Sequence, residues 1–202
     1  MKTRMRSFLP RFACAALLSA VLLPAQETVL QIDPARTQVG FTLADVLHTV
    51  HGTFALKRGT IRFDPRTGQA SGELVVDAAS GASGSPARDR RMHQNILESA
   101  KYPEIVFRPD RVQGKVEPQG TSQVELHGFF SIHGVQHEIV MPVQVEAAGD
   151  QYTASAHFAV PYVRWGMKNP STLFLRVSDK VDIDIKTVAR PPQTTASTEP
   201  RP

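Results

Sequence analysis

Three of the chain's seven histidines, His127, His133 and His137, lie within eleven residues of one another. Histidines this dense in sequence can serve a metal-dependent hydrolase, because zinc takes three or four such ligands on one point. They can also be structural residues of a β-hairpin. The strong signal for the first, an HExxH motif on a helix, is absent. His137-Glu138 runs on into Ile139-Val140-Met141, which reads as strand. His127 shares strand parity with Glu125 and Ser131, whereas His137 shares parity with Ile139 and Met141. His133 stands beside Gly134, which supplies the conformational freedom of a turn. Two strand faces and a turn tip do not converge on one ion. The hairpin is therefore the expected role, with the hydrolase as its alternative.

The other histidines read as local. His48 and His51 flank a turn-like approach to Gly52, and His157 has the polar parity of Thr153 and Ser155, which places it outside. There is no GxSxG elbow, P-loop or GxGxxG fingerprint. The glycine-rich GASGSP at 81–86 reads as a loop before a helix. Asp182 and Asp184 read as the solvated face of the last strand rather than an acid/base pair. No catalytic centre emerges, so the protein is expected not to be an enzyme and to need no cofactor.

The elements that carry these residues are mostly strands. Period-two alternation puts Val39, Phe41 and Leu43 on one face, Ile61 and Phe63 on another, and then Ile105 and Phe107. It continues through Val124, Leu126, Phe130 and Ile132, through Ile139, Met141, Val143 and Val145, and through Ala154, Ala156, Phe158 and Val160. Val181, Ile183 and Ile185 alternate with Asp182, Asp184 and Lys186. Turn residues separate the runs at Asp64–Gly68, His133-Gly134 and Gly149-Asp150. One segment departs from this rhythm. Ser85 suits an N-cap and Pro86 a first helical position, Met92, His93, Ile96 and Leu97 share a stripe, and Pro103 forbids continuation. A helix is expected over roughly 86–98. About eight antiparallel strands with one apolar face each fit either a sandwich or a closed barrel, and periodicity alone does not choose.

The ends are of another character. Lys2, Arg4, Arg6 and Arg11, an apolar run from Phe12 to Leu23, and Ala25 follow the order of a secretory signal peptide. Cleavage is expected after Ala25, giving a periplasmic or secreted protein. The whole chain carries a net charge of +4. Removal of 1–25 takes four basic residues and leaves a neutral remainder, so nothing supports nucleic-acid binding. Cys14, the chain's one cysteine, leaves with that segment, which excludes thiol chemistry and disulfides from the rest. Residues 189–202, with four prolines and no large apolar anchor, are expected to be a disordered tail. One domain, 27–188, remains.

Several stretches taken together resemble the YceI-like lipid or polyisoprenoid-binding family: QIDPARTQVGFTL (31–43), VHGTF (50–54), GTIRFDP (59–65), RDRRMHQNILESAKYPEIVF (88–107), FFSIHGVQHEIVMPV (129–143) and RWGM (164–167). Departures stand at Arg36, where the family often has histidine, and at Phe129-Phe130, where a less aromatic strand is usual. The resemblance implies a lipocalin-like antiparallel β-barrel holding a long isoprenoid lipid, a polyprenol or an isoprenoid quinone, for transport or storage. On that reading the wall is expected at Phe41, Leu43, Phe54, Phe63, Phe107, Phe130, Met141, Val143, Phe158 and Trp165. Arg88, Arg90 and Arg91 are the candidates for a phosphate or quinone head. Membrane contact would be transient, and a homodimer through an edge strand or the helix stays open. A third function class, a stress-related interaction module, would have the same barrel packed shut.

Overall fold

The computed structural model describes residues 27–44, 48–173 and 176–192. The expected signal peptide, and the tail from 193 onward, lie outside the described residues. Nine strands form one antiparallel sheet: β1 (Thr28–Ile32), β2 (Gln38–Ala44), β3 (Thr49–Phe63), β4 (Ala70–Ala82), β5 (Glu104–Gln113), β6 (Gly120–Ile132), β7 (Val135–Ala148), β8 (Gln151–Val160) and β9 (Val181–Arg190). Neighbours follow the order β3-β2-β9-β8-β7-β6-β5-β4, and β4 pairs back with β3, so the sheet closes into a barrel. Strand β1 occupies the same place as β2. It pairs with the far end of β3, Thr28 opposite Phe63, and with the far end of β9, Ile32 opposite Ala189. The two are one barrel position interrupted by a 3-10 turn at Pro34–Arg36, which Asp33 caps by accepting a hydrogen bond from the Ala35 N–H at 2.9 Å. The barrel thus has eight positions, the number expected from the sequence. Its seam between β7 and β8 is paired only from Val143 to Ala148, so the first half of β7 pairs with β6 alone among the described residues.

Strand β9 shows how alternation becomes architecture. Val181, Ile183 and Ile185 turn inward while Asp182, Asp184 and Lys186 are exposed. The strand runs on to Arg190, and Ala189 is buried opposite Tyr152, so ordered structure extends two residues past 188. The sequence reading did not find β4. Its Leu74-Val75-Val76 does not alternate in polarity because both barrel faces are covered there. Val75 points outward, opposite Arg58 and Val106, yet has 0 % of its surface exposed. A charged lattice lies over that outer face. Arg58 meets Glu73 at 3.0 Å and Glu104 at 3.2 Å, and Arg108 meets Glu73 at 3.4 Å. The stems of such arginines cover apolar surface while their heads stay in water.

The helix over 86–98 is shorter than expected. An α-helix, α1, spans Pro86–Arg91 and passes into a π-helical turn over Met92–Ile96, closed by the Leu97 N–H on the Met92 carbonyl at 2.9 Å. Ser85 stands at the cap position, but its hydroxyl makes no capping bond. Ser83 takes up the local bonding instead: its backbone N–H and hydroxyl both donate to the Asp89 carboxylate. His93 anchors the wider turn, with Nε2 2.9 Å from the Gly81 carbonyl and Nδ1 3.1 Å from the Ser99 hydroxyl.

The helix, the β6–β7 hairpin tip and the segment Pro161–Met167 close one end of the barrel. Leu97, Tyr162 and Met167 are buried there in the main core cluster. A smaller cluster of Leu30, Ile32, Leu56, Phe63 and Ala189 fills the other end, and Leu74, Val76, Val112 and Val116 touch both clusters.

Candidate functional site

Between the two clusters the barrel holds a cavity of about 150 Å³. Its wall comes from alternate residues of every barrel position, because each strand turns one residue in two inward. Phe63 bounds it at one end, Phe107, Phe130 and Phe158 at the other, with Met141 and Val143 on the side. Two polar side chains on the wall, Thr37 and Thr187, are occupied locally. Thr37 donates to the Asp33 carbonyl at 2.7 Å, and its hydroxyl lies 3.0 Å from that of Thr187.

Six of the ten expected wall residues therefore meet at one cavity: Phe63, Phe107, Phe130, Met141, Val143 and Phe158. Phe41, Leu43, Phe54 and Trp165 are not on its lining. Phe41 and Phe54 pack on each other, ring centroids 5.3 Å apart, toward the helical end. Trp165 lies against Phe130 at 5.7 Å, beyond the cavity, and Phe130 meets Phe158 edge-on at 6.1 Å. These rings form a partition between the cavity and the helical end. The sequence reading chose bulky side chains, and bulk fills space. The room beside β8 exists because Ala154 and Ala156 line it. Their inward parity was legible; their importance as small residues was overlooked.

The three clustered histidines separate, as their parity implied. His127 lies on the outer face, its Nδ1 3.1 Å from Arg111 and its Nε2 3.9 Å from Glu125. His133 sits at the hairpin tip with φ +52°, followed by Gly134 at +77°. Positive φ at both central residues is the two-residue turn whose twist matches the strands. The His133 ring packs on Tyr102, centroids 4.6 Å apart, and its Nε2 is 3.6 Å from Glu98. His137 points inward and stacks on Trp165, centroids 4.1 Å apart and planes within 4°. Burial lowers its pKa from the ordinary histidine value. Among the described residues, no three His, Cys, Asp or Glu side chains gather into a metal-holding group. His157 is exposed and pairs with Asp184 at 2.8 Å.

The candidate head-group arginines are exposed on α1. Arg88 is engaged locally, donating to the Ser83 hydroxyl at 2.7 Å and the Ser83 carbonyl at 2.8 Å. Arg91 reaches across to the Pro170 carbonyl at 3.1 Å. Arg90 has no such anchor. None of the three lies on the cavity wall.

Tyr162 ties the closing segment to the stretch that leads into β9. Its hydroxyl donates to the Ser178 carbonyl at 2.7 Å, and the Met167 N–H donates to the Tyr162 carbonyl at 3.1 Å. Burial, aided by Asp179, raises the Tyr162 pKa to about 12 from the ordinary 10.0. The folded protein thus keeps this proton when the unfolded chain would lose it. Stability from this group is complete below pH 10 and falls as pH rises toward 12, by about 2–3 kcal/mol at most. Urea denaturation of wild type and Tyr162→Phe at pH 9 and pH 12 checks this. The variant should be less stable at pH 9 by about 1 kcal/mol, and should lose less stability on the alkaline step.

Comparison with known proteins agrees with this architecture. The family model for the YceI-like domain matches residues 30–189. A curated relative, the UPF0312 protein VPA0850 of Vibrio parahaemolyticus, is 23% identical over 129 residues, covering 62% of this chain and 66% of the relative, just under two thirds of its length. Among solved structures, BcnA of Burkholderia cenocepacia superposes with a TM-score of 0.65 at 18% identity, covering 78% of this chain and 98% of its own. A polyisoprenoid binding domain from Saccharophagus degradans, implicated in plant cell wall breakdown, gives 0.63 at 14% identity, covering 82% and 99%. The YceI protein of Campylobacter jejuni gives 0.59 at 19% identity, covering 73% and 88%. At these identities the solved structures establish the fold, and the family match over residues 30–189 establishes the kinship: this chain belongs to the YceI-like domain family.

Proposed function

We propose that this protein is a non-enzymatic lipid-binding barrel, exported to the periplasm or secreted, that holds a long isoprenoid chain, a polyprenol or an isoprenoid quinone, for transport or storage. The observation that carries the proposal is the apolar cavity in the middle of the barrel. A hydrocarbon chain offers no charge to recognise, so its affinity comes from buried apolar area, about 25 cal/mol per Å² before entropic costs. A wall of Phe, Leu, Val, Met and Ala suits that. The likeness to a polyisoprenoid binding domain supports the same ligand class.

The cavity's size makes a demand of its own. About 150 Å³ is room for a benzene-sized group. A long chain must therefore part the Phe130–Phe158–Trp165 partition or the opposite cluster as it enters. Methionine adapts readily to such a change, which fits Met141 on the wall. The helical end also carries the exposed cations Arg88, Arg90, Arg91, Lys168 and Lys180, and Leu173 there is 90% exposed. An apolar tip among cations fits brief contact with a membrane that donates or receives lipid.

The same small volume favours the second reading, an interaction module with an interior that admits no ligand. Native mass spectrometry of protein taken from its own compartment, followed by organic extraction, separates the two. The carrier reading expects an isoprenoid mass in the extract, and N-terminal sequencing of the same sample to begin near Gln26. A protein that arrives empty and takes up neither added polyprenol nor quinone would establish the filled module instead.

A further inference from the structure

Two buried side-chain atoms among the described residues lack a hydrogen-bond partner: Nε2 of His127 and Nε2 of His137. The first lies on the outer face, with its ring held by Arg111 and Glu125 3.9 Å away. The second faces the barrel interior. His137 has the strand parity of Met141 and Val143, both on the cavity wall, and pairs across the sheet with Phe130, also on that wall. It lies four residues before Met141, about 13 Å along the strand. It therefore stands level with the Phe130–Trp165 partition, on the side of the cavity nearer the helical end.

A buried polar atom without a partner is costly and asks for an explanation. Polar side chains at the same end of the barrel are bonded elsewhere. The Tyr162 hydroxyl is spent on Ser178, and the Ser99 hydroxyl and the His93 ring are bonded to each other. Trp165 covers one face of the imidazole, and Nε2, at the ring's edge, is shielded from solvent.

We infer that His137 Nε2 is the hydrogen-bonding site for the oxygen head of the bound lipid, an uncharged hydroxyl or carbonyl that inserts at the Phe130–Trp165 partition while the chain lies in the cavity below. This rests on the lipid-binding reading and adds a direction to it: head toward the helical end, tail toward Phe63. The imidazole suits both oxygens. With its proton on Nε2 it donates to a carbonyl, and in the other tautomer Nε2 accepts from a hydroxyl. Burial without a neighbouring carboxylate keeps the ring neutral, which favours an uncharged head over a phosphate.

The test uses two probes, geranylgeraniol, which has a hydroxyl head, and squalene, an isoprenoid hydrocarbon without one. Binding is read from the fluorescence of Trp165, the chain's only tryptophan. His137→Phe keeps a ring against Trp165 and removes the hydrogen bond. It should weaken geranylgeraniol about tenfold and leave squalene within about twofold. His137→Gln, whose amide can reach a similar position, should restore most of the difference. Equal affinity of wild type and His137→Phe for geranylgeraniol would overturn the assignment, as would an equal loss for both probes, which would mean a packing role. If wild type bound neither probe, the lipid reading itself would fall and this site with it.

Discussion

Ala156→Phe should fold and retain no long isoprenoid. Ala156 lines the cavity from β8, beside Ala154 and across from Val143 and Ile185. A phenyl ring there occupies the room that a ligand would take. If it displaces roughly 120 Å² of ligand contact, the loss at 25 cal/mol per Å² is about 3 kcal/mol, or somewhat more than a hundredfold in Kd. The protein should survive, because the ring enters space rather than a packed core. The overpacking cost should stay near the lower end of about 1–3 kcal/mol. Ala159→Phe is the control, since Ala159 sits on the same strand with the opposite parity and is exposed. The checks are thermal denaturation for folding and native mass spectrometry after loading with a polyprenol. Full retention by a folded Ala156→Phe would move the ligand out of this cavity.

Phe130→Ala attacks the partition. Phe130 is 9% exposed and touches both Phe158 and Trp165. Truncating a buried phenylalanine costs about 3–5 kcal/mol through lost transfer energy and residual void. The void would extend the existing cavity toward His137, which pairs with Phe130 across the sheet. The empty variant should therefore unfold at clearly lower urea than wild type, and the Trp165 emission should shift as its neighbour disappears. Lipid should recover more stability in the variant than in wild type, because the chain fills what the ring vacated. A ligand bound to the folded state alone adds RT ln(1 + [L]/Kd). Urea denaturation with and without geranylgeraniol measures the difference. If the cost were below about 1 kcal/mol, the aromatic partition would not be a packed element of the core.

Much of this architecture was legible beforehand because a strand in a closed barrel has water on one side and hydrocarbon on the other. That asymmetry writes itself as alternation, most clearly at Val181–Lys186 and Val124–Ile132. The hairpin turn was legible for a similar reason: His133-Gly134 needs positive φ twice, and glycine marks the place. Strand β4 was illegible where Val75 is buried on the outer face, since alternation vanishes when both faces are dry. The interruption between β1 and β2 was hidden as well, because one barrel position was shared by two short strands.

The sequence by itself determined which residues of most strands face inward, where the chain turns, that His127 and His137 point opposite ways, and, through resemblance, the family. Only the tertiary structure decided that the sheet closes, where the free space lies, and which groups meet across it. Parity is local: it depends on one strand's backbone and is written in neighbouring letters. A cavity is what remains after side chains from eight barrel positions have filled a common interior. Its location turned on Ala154 and Ala156 facing larger residues, and the isolation of His137 turned on Trp165, 28 residues later, lying flat against it.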